Sequence, residues 1–268
     1  MIGQRIASAL VIAAALLAAV FLLPPIGLVA VLTMVLLAAA WEWAAFVAGP
    51  RSALRWVFLA STFAMSAVLW FGTGSSRGLI ACVVSGLVLW ALALLWLVLA
   101  PQRQPRAAVF VAGVLAISMA WMCLTRISLD VPRGHLWVLY SLLIVWVADS
   151  GAYFVGRSWG TSKLAPRISP GKTWAGLWGG LLASALLAVV VATAFRLPIV
   201  GLVALTVVVA GYSVIGDLTE SLCKRFAGMK DSGTLIPGHG GVLDRFDSLL
   251  AAAPCLLFGL LTLQGLSR

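Results

Sequence analysis

Carboxylates are scarce in this chain. It carries 8 Asp and Glu against 18 Lys and Arg in 268 residues, and charged side chains make up only 10% of it. Histidine occurs twice and cysteine four times. Cys82, Cys123, Cys223 and Cys255 lie far apart, with no C-x-x-C pair and no histidine at zinc-ligand spacing. That excludes a recognisable disulfide framework or zinc site and leaves the thiols as small buried hydrophobes. Internal repeats and polar linkers are lacking too, so the chain reads as a single domain, 1–268. It divides only into N-terminal spans, 1–135, and a more polar half, 136–268. Period-two alternation is absent, which argues against a β-barrel. The net charge of +10 would suggest nucleic acid in a soluble protein. No basic stripe with interleaved aromatics exists outside the apolar runs, so nucleic acid is excluded as a partner, and the basic residues read as flanks facing anionic lipid headgroups.

What the chain has instead is apolar length. Hydrophobic residues occupy 63% of positions. A soluble domain cannot hide that much apolar surface, and continuous runs satisfy their backbone in a bilayer only as helices. The expected fold is therefore all-α, a polytopic membrane bundle of about nine transmembrane helices. The segments are 6–23, 26–47, 56–71, 78–100, 107–125, 136–155, 174–194, 199–222 and 248–265, the third being short. The run after Arg5 leads through Pro24-Pro25 straight into another apolar run, so it reads as an uncleaved first span. With the N-terminus in the cytoplasm, 13 of the 18 basic residues fall inside and Arg77, Arg126, Arg133, Arg196 and Arg268 fall outside. The same alternation puts the two richest loops, 156–173 and 223–247, on one side, where they can meet.

Those loops carry the polar chemistry. Five of the 8 acids, Asp217, Glu220, Asp231, Asp244 and Asp247, fall within 217–247, interleaved with Lys224, Arg225, Lys230, His239 and Arg245. Asp217 and Glu220 are spaced i,i+3, as are Asp244 and Asp247, and Ser221 follows Asp217 by four. On helices each set shares a face, so two helix ends each bring two acids to one membrane surface. Facing carboxylates suit hard cations, and basic residues with glycines suit phosphate. Glu220 and Asp231 have a plainer reading as charge partners of neighbouring Lys and Arg. His239, in the Gly238–Gly241 turn, reads as a ligand, a phosphate donor or a turn residue. Upstream, Ser169-Pro170-Gly171-Lys172-Thr173 enters the seventh span. It reads either as an anion site at a helix N-terminus or as a helix cap with a snorkelling lysine. Asp149 interrupts an apolar run and is a functional candidate at membrane depth, or an acid solvated near a span end. Glu42, between Trp41 and Trp43, reads as an exposed interfacial glutamate.

The segment S-L-C-K-R-F-A-G-M-K-D-S-G-T-L-I-P-G-H-G-G-V-L-D-R-F-D, 221–247, resembles the signature of the phosphatidate cytidylyltransferase, or CDP-diacylglycerol synthase, family. That pattern is S-x-x-K-R-x4-K-D-x-G-x2-(L/I/F)-P-x-H-G-G-x-x-D-R-x-D, and every fixed position is matched. The A-D-S-G-A-Y and S-P-G-K-T-W-A-G stretches resemble the family as well, except that Ala175 stands where an acid or amide is frequent. The likeness is strong from about 140 to 255; earlier residues match only as hydrophobic spans. The resemblance implies an integral membrane enzyme joining CTP and phosphatidate to give CDP-diacylglycerol and pyrophosphate. It implies Mg²⁺, with a monovalent cation such as K⁺ beside it, and a site on the cytoplasmic face of the cell inner membrane. By that likeness Asp217, Asp244 and Asp247 would hold metal and, with Lys224 and Arg225, form the catalytic set. Ser169, Lys172, Thr173, Lys230, Gly238, His239, Gly240, Gly241, Arg245, Asp149 and Ser221 would bind substrate. A homodimer is left open. Two other readings compete: a CTP-dependent lipid kinase acting on a polyprenol- or phytol-type alcohol, and a secondary anion transporter.

Overall fold

A long apolar run has no water to bond its amides within a bilayer, so it coils on itself. The computed structural model describes residues 2–49, 52–102, 105–235 and 240–266, and nine helices are found among them. They are α1 (Ile2–Leu22), α2 (Pro25–Val47), α3 (Leu54–Gly72), α4 (Ser76–Leu99), α5 (Arg106–Asp130), α6 (Gly134–Trp159), α7 (Trp174–Phe195), α8 (Ile199–Phe226) and α9 (Leu243–Leu266). Eight of them, α2 to α9, are long and apolar enough to cross a membrane. The expected all-α membrane bundle is what is observed. Punctuation is local: Pro25 opens α2, where its missing N–H costs nothing, and Ser75 caps α4 by accepting from the Gly78 amide at 3.1 Å.

One element departs from the all-helical expectation. Between α6 and α7 the chain forms an antiparallel hairpin of β1 (Lys163–Ala165) and β2 (Ser169–Thr173), pairing Lys163 with Thr173 and Ala165 with Ser169. Its turn residue Ile168 is buried in a small apolar cluster with Leu97 of α4 and Leu218 and Leu222 of α8. That plug seats the hairpin on the bundle end.

The most enclosed span is α9. Its run Ala251–Ala253 is wholly buried, and small side chains let α8, α5 and α4 crowd around it. At the α8–α9 crossing Gly216 faces the Asp247 carbonyl, and a Cβ there would lie 2.6 Å from that oxygen. Successive helices reverse direction, so chain ends alternate. Seven of the 8 acids lie at the end that holds the hairpin and the α8–α9 connection. The exception, Asp130, pairs with Arg126 at 3.1 Å at the opposite end. There Arg126 also donates to Trp70 O and Thr73 Oγ1 and lies over the Trp70 ring.

Candidate active site

Two helix ends and one hairpin converge. From α8 come Asp217, Glu220, Ser221 and Lys224; from the start of α9 come Asp244, Arg245 and Asp247; from β2 comes Lys172. The Lys172 ammonium meets Asp217 Oδ2 at 2.6 Å, and Ser221 Oγ donates to Asp217 Oδ1 at 3.2 Å. Lys224 bridges the helices. Its Nζ lies 2.7 Å from Asp244 Oδ1 and forms an ion pair with Glu220, one turn back on α8. The i,i+3 and i,i+4 spacings thus do what their helical reading required.

Asp244 is the most heavily bonded acid of the group. Its Oδ2 accepts from the backbone amides of Ser232 at 3.0 Å and Gly241 at 2.8 Å, and Oδ1 accepts from Lys224. Gly240, at φ 84°, turns the chain into this cap, a backbone state that favours glycine. Asp247 is buried, and its Oδ1 accepts from the following Ser248 amide at 2.5 Å. Glu220 is fully buried, and its Oε1 has no hydrogen-bond partner.

Asp149 of α6 stands exposed at the edge of the group, within electrostatic reach of Asp217, Lys172 and Arg245. Asp247 in turn feels Asp217, Glu220 and Lys224, and Glu220 feels Asp244. The group therefore sets five acidic side chains beside the three cations Lys172, Lys224 and Arg245.

A cavity of about 590 Å³ opens beside it, lined by Asp149, Arg157, Lys163, Ser169, Lys172 and Thr173 at its polar mouth. Deeper, Leu177, Leu181, Ala210 and Val214 make it apolar. Thr173 is buried and caps α7, its Oγ1 accepting from the Gly176 amide at 3.0 Å. Of the two readings of this turn, the helix cap is seen in Thr173, while Lys172 pairs with Asp217 instead of snorkelling. A second cavity of about 740 Å³ lies behind the α8–α9 connection, against Trp41, Glu42, Arg55 and Arg106. It carries none of the candidate residues.

The Cytidylyltransferase family model matches residues 3–263. The chain belongs to that family. It is therefore an enzyme, a nucleotidyltransferase, and the transporter reading falls away. It is 37% identical over 284 residues to the phosphatidate cytidylyltransferase of Haemophilus influenzae, covering 95% of this chain and 96% of that protein. It is 38% identical over 268 residues to the protein of that name from Pseudomonas aeruginosa, covering 95% of each. A Bacillus subtilis phosphatidate cytidylyltransferase is 45% identical over 127 residues, 47% of each chain.

Not every residue singled out in this cytidylyltransferase joins the cluster. Arg225 is exposed and turns to the hairpin, its Nε donating to Ile168 O at 3.4 Å. Lys230 is exposed on the connection. Gly238 and His239 lie outside the described residues. Glu42 contradicts its reading as an exposed interfacial glutamate. It is only 2% exposed, its Oε2 accepting from the Leu243 amide at 2.8 Å and from Ser232 Oγ at 3.1 Å. Its partners lie about two hundred residues away in sequence, so only the fold brings them together. Flanking tryptophans, the signal for an interface, here do other work: Trp43 Nε1 donates to Val109 O at 3.1 Å, packing α2 on α5.

For a divalent metal, the donor chemistry fits. Hard carboxylate oxygens suit Mg²⁺, acidic side chains from α8 and α9 meet here, and Glu220 Oε1 is unbonded. Among the described residues, though, no three acid, cysteine or histidine side chains already converge on one point. The ammonium groups of Lys172 and Lys224 hold the cationic positions on Asp217 and Asp244.

Proposed function

We propose that this enzyme is a phosphatidate cytidylyltransferase, converting CTP and phosphatidate into CDP-diacylglycerol and pyrophosphate. The observation that carries the site assignment is the Lys172–Asp217 contact at 2.6 Å, which joins the cavity-lining hairpin to the acids of the signature. The activity itself is the one printed for relatives alike over 95% of the chain.

The attacking group is a phosphate monoester, largely dianionic at neutral pH because its second pKa is about 6. It needs little base catalysis. Its difficulty is approaching the α-phosphorus of another anion, so charge neutralisation and alignment dominate. Lys172, Lys163 and Arg157 at the cavity mouth attract and orient phosphate oxygens. The apolar floor admits the first methylenes of a lipid, whose remaining chains stay in the bilayer. Lys224 and Arg245 sit where negative charge collects as the bond to pyrophosphate breaks. Asp217, Asp244 and Asp247, with Glu220 behind them, are the residues that would hold Mg²⁺. When bound, the ion supplies charge stabilisation for the phosphate oxygens and the departing pyrophosphate.

The site faces the cytoplasm in this reading, because the excess of basic residues lies at that end and CTP is a cytoplasmic nucleotide. The membrane is then the cell inner membrane. The lipid-kinase reading differs in which phosphorus reaches the lipid and requires a base for an alcohol. Purified protein in detergent, given Mg²⁺, CTP and phosphatidate, should release pyrophosphate with one CDP-lipid formed per CTP consumed. Formation of CDP and a phosphorylated alcohol instead would overturn the reading.

A further inference from the structure

A buried carboxylate costs several kcal/mol unless its oxygens are bonded, so Glu42 needs a reason. It stands on α2, in the half of the chain that the signature does not touch. Its Oε2 ties the middle of the α8–α9 connection to the first residue of α9, Ser232 through its hydroxyl and Leu243 through its amide. Gly233 and Gly241 pack so closely on the same carboxylate that a Cβ at either would collide with it. The opposite side of this layer faces the acids. The amides of Ser232 and Gly241 point to Asp244, at 3.0 and 2.8 Å. One thin layer of backbone is thus fastened from behind by Glu42 and bonds Asp244 in front.

We propose that Glu42 is a positioning residue for cytidylyl transfer. Its acceptor oxygen staples Ser232 to Leu243 and thereby fixes the Asp244 carboxylate against Lys224. The inference rests on the reading of Asp244 as part of the active site. What the staple uses is the reach of one oxygen: both bonds go to Oε2, while Oε1 is buried with no hydrogen-bond partner and the charge acts electrostatically on Arg55 of α3.

Two variants separate those terms. Glu42→Gln keeps an oxygen at the same reach and loses the charge; Glu42→Asp keeps the charge and withdraws the oxygen by one methylene. Each is compared with wild type and Glu42→Ala as the folded, monodisperse fraction in detergent, measuring melting temperature, kcat and KM for CTP. Glu42→Gln should keep kcat within about threefold, whereas Glu42→Asp and Glu42→Ala should lose roughly ten- to a hundredfold, the worth of one or two buried charge-assisted bonds. KM should stay within about threefold throughout, because the bonds order Asp244 rather than touch CTP. Ser232→Ala should lower kcat on its own and add nothing to Glu42→Ala. Full kcat in folded Glu42→Asp, or a Gln variant worse than the Asp variant, overturns the proposal. So does a loss confined to melting temperature and yield. Should Glu42→Ala yield no folded protein, unchanged kcat in Ser232→Ala overturns it equally. Asp244→Asn is measured alongside. If that variant is active, the site reading has failed; if it is inactive while Glu42→Asp is fully active, only the staple has failed.

Discussion

Two lysines that look alike in sequence hold different places among the acids. Lys172 and Asp217 are each 25% exposed, and an ion pair that open contributes little to stability. Lys172→Ala should therefore leave the melting temperature nearly unchanged while raising KM for CTP or phosphatidate roughly tenfold or more, the worth of a charged hydrogen bond. Unchanged kinetics would remove the hairpin from the site. Lys224 is only 13% exposed and separates Glu220 from Asp244. Lys224→Met strands two acids without a counter-charge, so it should destabilise the fold by about 3–5 kcal/mol as well as abolish turnover, seen as a lowered denaturation midpoint. Asp217→Asn and Asp244→Asn should each lower turnover at least about a hundredfold in protein that still inserts and purifies, a loss typical of removing one transition-state electrostatic contact. Spacing alone made Asp217, Glu220, Asp244 and Asp247 legible, since i,i+3 on a helix leaves one face. Glu42 was illegible for the opposite reason. Nothing within a turn of it says that its oxygens belong to Ser232 and Leu243.

The helices were readable because a run that must bond itself in lipid has few alternatives, and each of the nine apolar segments is a helix. Their ends were less readable. The last apolar run begins at 248, yet α9 starts at Leu243, because its polar first turn is held by Glu42 and by the amides around Asp244. The hairpin is not legible in the sequence, since Ser169-Pro170-Gly171-Lys172-Thr173 reads as a turn, and three- and five-residue strands show no alternation. It exists because Ile168 is plugged between α4 and α8. At this scale the α8–α9 crossing is the sensitive element. Gly216→Val places a branched side chain where even a Cβ lies 2.6 Å from the Asp247 carbonyl. The helices must part, carrying Asp217 away from Asp244. Activity should fall at least tenfold with a clear loss of thermal stability, as overpacking costs about 1–3 kcal/mol; wild-type kinetics would show the crossing to be slack.

The whole molecule is polarised. One end gathers seven acids and the hairpin; the other keeps Arg126 with Asp130 and an apolar cavity beneath Arg133 and Trp137. Such an arrangement lets a lipid present its headgroup to one membrane face without leaving the bilayer. A single cysteine placed at Lys230, in a chain whose four cysteines are replaced by alanine or serine, should react with a membrane-impermeant maleimide in inverted vesicles and not in intact cells. Labelling in intact cells would reverse the orientation. The central claim is that the acids joined by Lys172 and Lys224 perform cytidylyl transfer to phosphatidate. It is tested most directly by giving purified wild-type and Asp217→Asn protein CTP labelled at either the α- or the γ-phosphorus, with phosphatidate and Mg²⁺, and counting label in the lipid. The account predicts α-label in the lipid for wild type, γ-label only in pyrophosphate, and neither in lipid for the variant. Lipid carrying γ-label, or an Asp217→Asn protein as active as wild type, would contradict it.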